Sequence, residues 1–182
     1  PFYRQVLGAL GYSDIFLADL KGNVVYSVRK QADFATDLTS GAWRDTDLAE
    51  VYRTALSLRP GQTAFADFDN YAPGADRPAA FLATPITSGE EVKGVLIYRL
   101  ALDPINAVLQ TSTGLGETGE TYAVGADYRA RSTSRIAGSA TALAPVKRSD
   151  ALAEAFAGGK PAFTQVTSEA GEATHTLTEA MT

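Results

Sequence analysis

"GLGETG", Gly114–Gly119, spells G-x-G-x-x-G, and its reading decides the fold class. Such glycines cradle a pyrophosphate only directly after a strand and at the opening of a helix. Here they follow the helical pattern "DPINAVLQTS" (103–112), with Pro104 at its first helical position and Asp103 as N-cap, and they precede the strand-like "ETYAVG". That order reverses the dinucleotide context. The stretch reads instead as a helix C-cap at Gly114 followed by a tight link between two units.

Working upstream, residues 2–10 carry a helical stripe (Phe2, Val6, Leu7, Leu10) that Gly11 stops, as the end of a longer helix would. "SDIFLADL" (13–20), the turn "KGN" (21–23) and "VVYSVRK" (24–30) predict a β-hairpin. A long irregular stretch leads to Thr46, an N-cap for "DLAEVYRTALSL", which puts Leu48, Val51, Tyr52 and Ala55 on one side. Strands follow at 63–72, 79–87 and 92–102, joined by short turns and therefore antiparallel. The unit is α+β, built on one antiparallel sheet.

Downstream the pattern restarts. "GYSDIFLADLKGNVVYSV" lines up with "GETYAVGADYRARSTS", placing Phe16 opposite Tyr122 and the Lys21–Asn23 turn opposite Asp127–Arg129. "LAEVY" at Leu48 is echoed by "LAEAF" at Leu152. Two matched landmarks at nearly one offset mark a tandem repeat whose second copy is cut short.

Composition bounds the function. The 182 residues are 45% hydrophobic and 20% charged, ordinary for a globular chain. A net charge of −5 with no basic block argues against a nucleic-acid surface. With no cysteine and one histidine, thiol catalysis, disulfides and multi-histidine metal clusters are excluded. That histidine, His175, sits in polar "GEATHTLTEA" and reads as an exposed strand residue. No nucleophile–base pair or phosphate loop is present, and no cofactor is expected. No apolar run approaches the roughly 20 residues a membrane helix needs.

"YSDIFLADLKGNVVYSVRKQADFATDL", "FADFDNYAPGADRPAAFLATPI", "GVLIYRLALDPINAVL" and "GLGETGETYAVGADYRARSTSR" resemble Cache sensor domains. These are the PAS-like extracytoplasmic domains of bacterial chemoreceptors and sensor histidine kinases. The resemblance implies tandem Cache units, each a five-stranded antiparallel sheet with flanking helices, the second incomplete. Residues 1–10 would end the N-terminal helix, 11–112 form a membrane-distal unit, 113–118 a linker and 119–182 part of a membrane-proximal unit. It further implies a periplasmic sensor of an inner-membrane receptor, tethered through segments outside this chain, homodimeric and without enzymatic activity. A small polar ligand (a carboxylate, amine or amino acid) would lie between one sheet face and the long loop with its helix. A structural or dimerisation module without a ligand is the alternative.

Seven residues are candidates to line that pocket. Lys30 at the end of the second strand can pair with a carboxylate. Trp43, the only tryptophan, either covers the ligand or anchors its loop. Asp67, predicted to share a face with Phe65 and Asp69 while Phe68 takes the other, either recognises an amine or an Arg or is merely exposed. Tyr71 closes the pocket edge or caps a hairpin. Phe81 faces the pocket if Leu82 does not. Tyr98 and Tyr26 are undecided between faces, and Arg99, opposite to Tyr98, is read on the solvent face. The amino-acid-binding branch carries a Tyr–Arg–Trp–Tyr cluster; "SGAWRDTDLAEVY" has Trp43 and Arg44 without that spacing.

Overall fold

The computed structural model describes residues 2–111, 113–116, 120–135, 142–148, 150–158, 162–167 and 173–178. Helix α1 (Phe2–Leu10) ends where Gly11, at φ 71°, returns its N–H to the Leu7 carbonyl at 3.0 Å. Strands β1 (Tyr12–Ala18) and β2 (Val24–Ser27) form the expected hairpin. Its turn is held by the Asp19 carboxylate, which accepts the N–H groups of Lys21 and Asn23 at 2.9 Å.

Thr46 caps α2 (Asp47–Ala55), its hydroxyl accepting the Ala49 N–H at 3.4 Å. The helical stripe of Leu48, Val51, Tyr52 and Ala55 is buried, each residue 2% exposed or less. Then come β3 (Ala64–Tyr71), a 3₁₀ turn (Ala72–Gly74), β4 (Arg77–Ser88), β5 (Glu91–Leu100) and α3 (Asp103–Leu109). The five strands form one antiparallel sheet in the order β2-β1-β5-β4-β3.

Strand period two gives this sheet two faces. Phe16, Val95, Ile97, Phe81 and Ala83 pack with α2 and Leu38 of the long loop into the main core. The other face carries Ile15, Leu17, Tyr26 and Tyr98, paired across the ladders.

Several boundaries differ from the sequence expectation. Strand β2 stops at Ser27, where the Asp14 carboxylate takes the Arg29 N–H at 3.1 Å and shares the Val28 N–H, at 3.0 Å, with the Ile15 carbonyl at 3.2 Å. The residue capping α3 is Leu102, with Asp103 its first helical residue. That helix ends at Leu109 with Gln110 as cap, so Gly114 is not its C-cap. Gly114 and Gly116 instead take positive φ (82° and 64°) in the turn that follows, while 117–119 lie outside the described residues. Helix α2 ends at Ala55, its carbonyl accepting the Leu58 N–H at 3.2 Å in a terminal turn.

Beyond the link, "ETYAVG" is a single bridge, Val124 to Ala130, closing a turn in which Tyr128 has φ 59°. Helix α4 (Asp150–Gly158) and an antiparallel pair, β6 (Ala162–Thr167) and β7 (Ala173–Thr178), follow. His175 pairs with Gln165 in that ladder. Among the described residues no helix is long and apolar enough to cross a membrane.

Asp14 is fully buried and accepts from the N–H groups of Ile15, Val28 and Arg29 and from the Ser27 hydroxyl. Its removal strands the buried Ile15 N–H and Ser27 hydroxyl and takes an acceptor from the part-buried Val28 and Arg29 N–H groups, so Asp14→Ala is expected to cost about 3 kcal/mol. Ser27→Ala, which loses one neutral donor to Asp14, is expected to cost about 1 kcal/mol. Urea unfolding of the two variants checks this; equal costs would refute the assignment of Asp14 as the hub.

Candidate functional site

The register of β5 builds one end of the α2 face. Arg99 lies directly opposite Asp14 on one side and Phe81 on the other, and so shares their face. This corrects the solvent-face expectation for Arg99. Continuing the alternation of the buried Val95 and Ile97 by one step leads to the same place.

The Arg99 guanidinium is held by neutral groups. Its Nε donates to Ser13 Oγ at 2.8 Å and its Nη1 to Gln31 Oε1 at 2.7 Å. Its carbon stands 5.7 Å from the centre of the Tyr71 ring, within reach of a cation–π attraction. Tyr71, 2% exposed, meets Phe81 edge to face at 4.9 Å and donates its hydroxyl to Asp33 Oδ2 at 2.7 Å. Gly74 is packed beneath: a Cβ there would come 3.1 Å from Tyr71 Cδ1 and 3.3 Å from Arg99 Nη1.

Asp33 comes from the long loop and is fully buried, with Oδ1 lacking a hydrogen-bond partner among the described residues. Burial pushes its carboxyl above the ordinary value, and the nearby Asp14 charge adds to this; the Tyr71 bond and the Arg99 charge work the other way. Burial, followed by the charge of Asp33, likewise raises the Tyr71 hydroxyl.

The polar cluster opens into a cavity of about 660 Å³. Ser13, Gln31, Tyr71 and Arg99 are among its lining residues, with the exposed Arg29 and Arg77, and Asp103, Asn106, Thr133 and Ala142 also line it. That volume falls in the range of small-molecule sites. A smaller hollow of about 320 Å³ lies between the N-terminus of α2, the middle of β3 and the Asp127–Arg131 turn. Among the described residues no group of three His, Asp or Glu side chains could hold a metal ion.

The seven sequence candidates do not converge on one cavity. Tyr71 lines the larger one, and Phe81 stands behind it in the core. Lys30 is exposed beyond the end of β2, its Nζ 5.3 Å from the Phe34 ring centre. Trp43 is half-buried and donates Nε1 to the Ala32 carbonyl at 3.0 Å, which ties one part of the loop to another. Tyr26 and Tyr98 occupy the opposite face, against Tyr3 of α1 (5.3 Å) and Tyr12 (4.6 Å).

Asp67 lines the smaller hollow and accepts from Arg131 at 3.0 Å, so the Arg it recognises belongs to this chain. A bulge between Ala66 and Asp69 breaks the predicted alternation. Phe65 therefore pairs with Leu82 and Asp69 with Ala79, on opposite faces. Asp33, Gln31 and Ser13 were missed. Asp33 carries no periodic signal because it sits in irregular chain.

The same fold occurs in three bacterial chemoreceptor domains. The ligand-binding domain of Pseudomonas fluorescens CtaA, in complex with L-serine, is 19% identical, with 92% of this chain and 65% of that one covered at a TM-score of 0.56. That of the Pseudomonas aeruginosa PAO1 amino-acid chemoreceptor PctC, with GABA, is 15% identical over 90% and 65%, at 0.57. That of Campylobacter jejuni Tlp3, with 4-methylisoleucine, is 12% identical over 91% and 60%, at 0.59. The likeness is one of fold, a five-stranded antiparallel sheet with flanking helices, and it is consistent with the resemblance to Cache domains. This chain spans 65%, 65% and 60% of those three domains. No protein-family model matches it, and no curated protein does.

The sheet thus carries a raised carboxyl at its polar end, and the sign of its linkage follows. Between the ordinary aspartate value of 3.8 and its raised native value, Asp33 holds a proton in the folded chain but not in the unfolded one. Its contribution is therefore fully present below 3.8 and is lost as pH rises through the native value. Asp33→Asn removes this titration while keeping an acceptor for Tyr71. The difference in melting temperature, wild type minus D33N, is expected to fall as pH rises across that window. Thermal melts at matched pH values check it, and a flat difference would contradict a raised Asp33.

Proposed function

We propose that the chain is the extracytoplasmic ligand-binding sensory part of a bacterial transmembrane signalling receptor, a chemoreceptor or sensor histidine kinase. It binds a small polar metabolite and has no catalytic activity of its own. Residues 11–112 act as the membrane-distal unit and 119–182 as part of the membrane-proximal one, working as a homodimer tethered through segments outside this chain. Support comes from a fold shared with three chemoreceptor domains, whose ligands are amino acids or close relatives of them.

The observation that carries the reading is Arg99. Its guanidinium lines a cavity of ligand size and is oriented by Ser13 and Gln31, with no ion pair among the described residues. A partly buried cation positioned by neutral groups keeps its charge available for a ligand's carboxylate.

A structural or dimerisation module is the second reading. It is favoured by the place where the ligand was expected, between the sheet and α2. Phe16, Leu48, Tyr52 and Phe81 fill that space and are fully buried.

Thermal-shift screening with L-serine, GABA, succinate and ethanolamine separates the two. The sensory reading expects at least one carboxylate to stabilise the chain, and Arg99→Gln to weaken its binding about 30-fold or more. If none stabilises the chain, the structural reading takes its place for these ligand classes.

A further inference from the structure

The larger cavity has a second unit for its far wall. Thr133 and Ala142 line it together with Ser13, Tyr71 and Arg99 of the first sheet and Asn106 of α3. The wall is bonded in place: Asn106 Oδ1 accepts the Thr133 N–H at 2.8 Å, and Asn106 Nδ2 donates to Thr133 Oγ1 at 3.3 Å. Gln110 Nε2 adds a bond to the Thr133 carbonyl at 3.4 Å. Behind the wall, Leu143 joins Phe68, Ala80 and Leu102 in one buried apolar cluster.

A third contact holds the units together away from the cavity. The β3 bulge presents Asp67, and Arg131 reaches it with Nε and Nη2, both at 3.0 Å. Arg131 Nη2 also binds Asp127 at 2.9 Å and Nη1 the Arg129 carbonyl at 3.0 Å, leaving the side chain 11% exposed. Gly125 makes room for it, since a Cβ there would lie 2.5 Å from Nη2.

The cavity's charge is one-sided. Arg29, Arg77 and Arg99 line it and none forms an ion pair among the described residues; Asp103 is the one acid in the lining. In a chain of net charge −5, three unpaired guanidiniums around one hollow select an anion.

We infer that this cavity is an inter-unit anion site, walled on one side by the second unit, and that filling it tightens the packing of the two units. The inference rests on the sensory reading above and adds where the signal leaves the site. A carboxylate bound between Arg99 and the Thr133 wall has full contacts only when the seam is closed. Its affinity for the closed packing therefore exceeds that for the open one, and the population shifts accordingly. Linkage makes the effect reciprocal: loosening the seam weakens binding by the factor by which binding tightens the seam.

Arg131→Gln and Asp67→Asn test this, because neither residue lines the larger cavity. Asp67 is about half exposed, so D67N keeps the test available should R131Q fold poorly. Titration calorimetry with succinate, L-serine and GABA is expected to show binding about fivefold weaker in both variants. In the wild type, the probe that binds is expected to slow hydrogen exchange at 130–133. If Arg99→Gln abolishes binding while R131Q and D67N leave it unchanged, the inter-unit inference is overturned and the sensory reading stands. Equal binding of ethanolamine, which has no carboxylate, overturns the anion assignment. If no probe binds the wild type, the sensory reading fails for these classes, and this inference with it.

Discussion

The hydrogen bond from Tyr71 to Asp33 ties an irregular loop to the edge strand of the sheet across 38 residues of sequence. Tyr71 is buried, so the loop cannot lift away without leaving its hydroxyl unsatisfied. The same bond fixes the Tyr71 ring, and the ring in turn stands over the Arg99 guanidinium. Gln31, two residues before Asp33, then reaches Arg99 from the loop side. One contact therefore sets the loop path, the orientation of Arg99 and the wall of the cavity. Oδ1 of Asp33 has no partner among the described residues, so the arrangement is held there by fewer bonds than its polarity could support.

The bulge in β3 does comparable work for the second unit. Without it, Phe65, Asp67 and Asp69 would fall on one face by simple alternation. With it, Phe68 turns into the apolar cluster shared with Leu102 and Leu143, and Asp67 stands free to meet Arg131. An irregularity in one ladder thus produces both the apolar and the ionic parts of the seam. Bulges re-aim side chains in this way at the cost of local pairing.

Much of the architecture was legible because periodicity reports burial. Leu48, Val51, Tyr52 and Ala55 recur at helical spacing and are all core; the hairpin and three later strands follow from alternation and turn residues. The site was much less legible, for identifiable reasons. Asp33 and Gln31 lie in a stretch without period, where nothing in the chain's order predicts which side chains turn inward. The alternation of 24–30 puts Lys30 at a strand end, but Asp14 diverts the backbone before it arrives, a contact 14 to 15 residues distant. Tyr26 and Tyr98 are aromatic and central, properties shared equally by a pocket wall and by a platform for α1; only the register decides. Arg99 was readable from Val95 and Ile97, and the general preference of arginine for solvent prevailed over that local pattern.

These placements change what a ligand would have to accomplish. The α2 face is closed by apolar packing, so a molecule entering there would have to displace well-packed side chains, at a cost of several kcal/mol. At the polar end, the cavity already exists and Arg99 is already oriented, so the cost of organising the site is met during folding. Affinity alone would not make such a site a switch. A ligand that binds both packings of the units equally moves neither, however tightly it is held. On the inter-unit proposal, the wall contributed by Thr133 would give a ligand a contact that depends on how the units are packed, and the Asp67–Arg131 pair, about half exposed on the Asp67 side, would let that packing vary. On that proposal, a strong apolar seam would hold the units in one arrangement, whereas a seam part apolar, part ionic and part amide gives a small anion an equilibrium to bias.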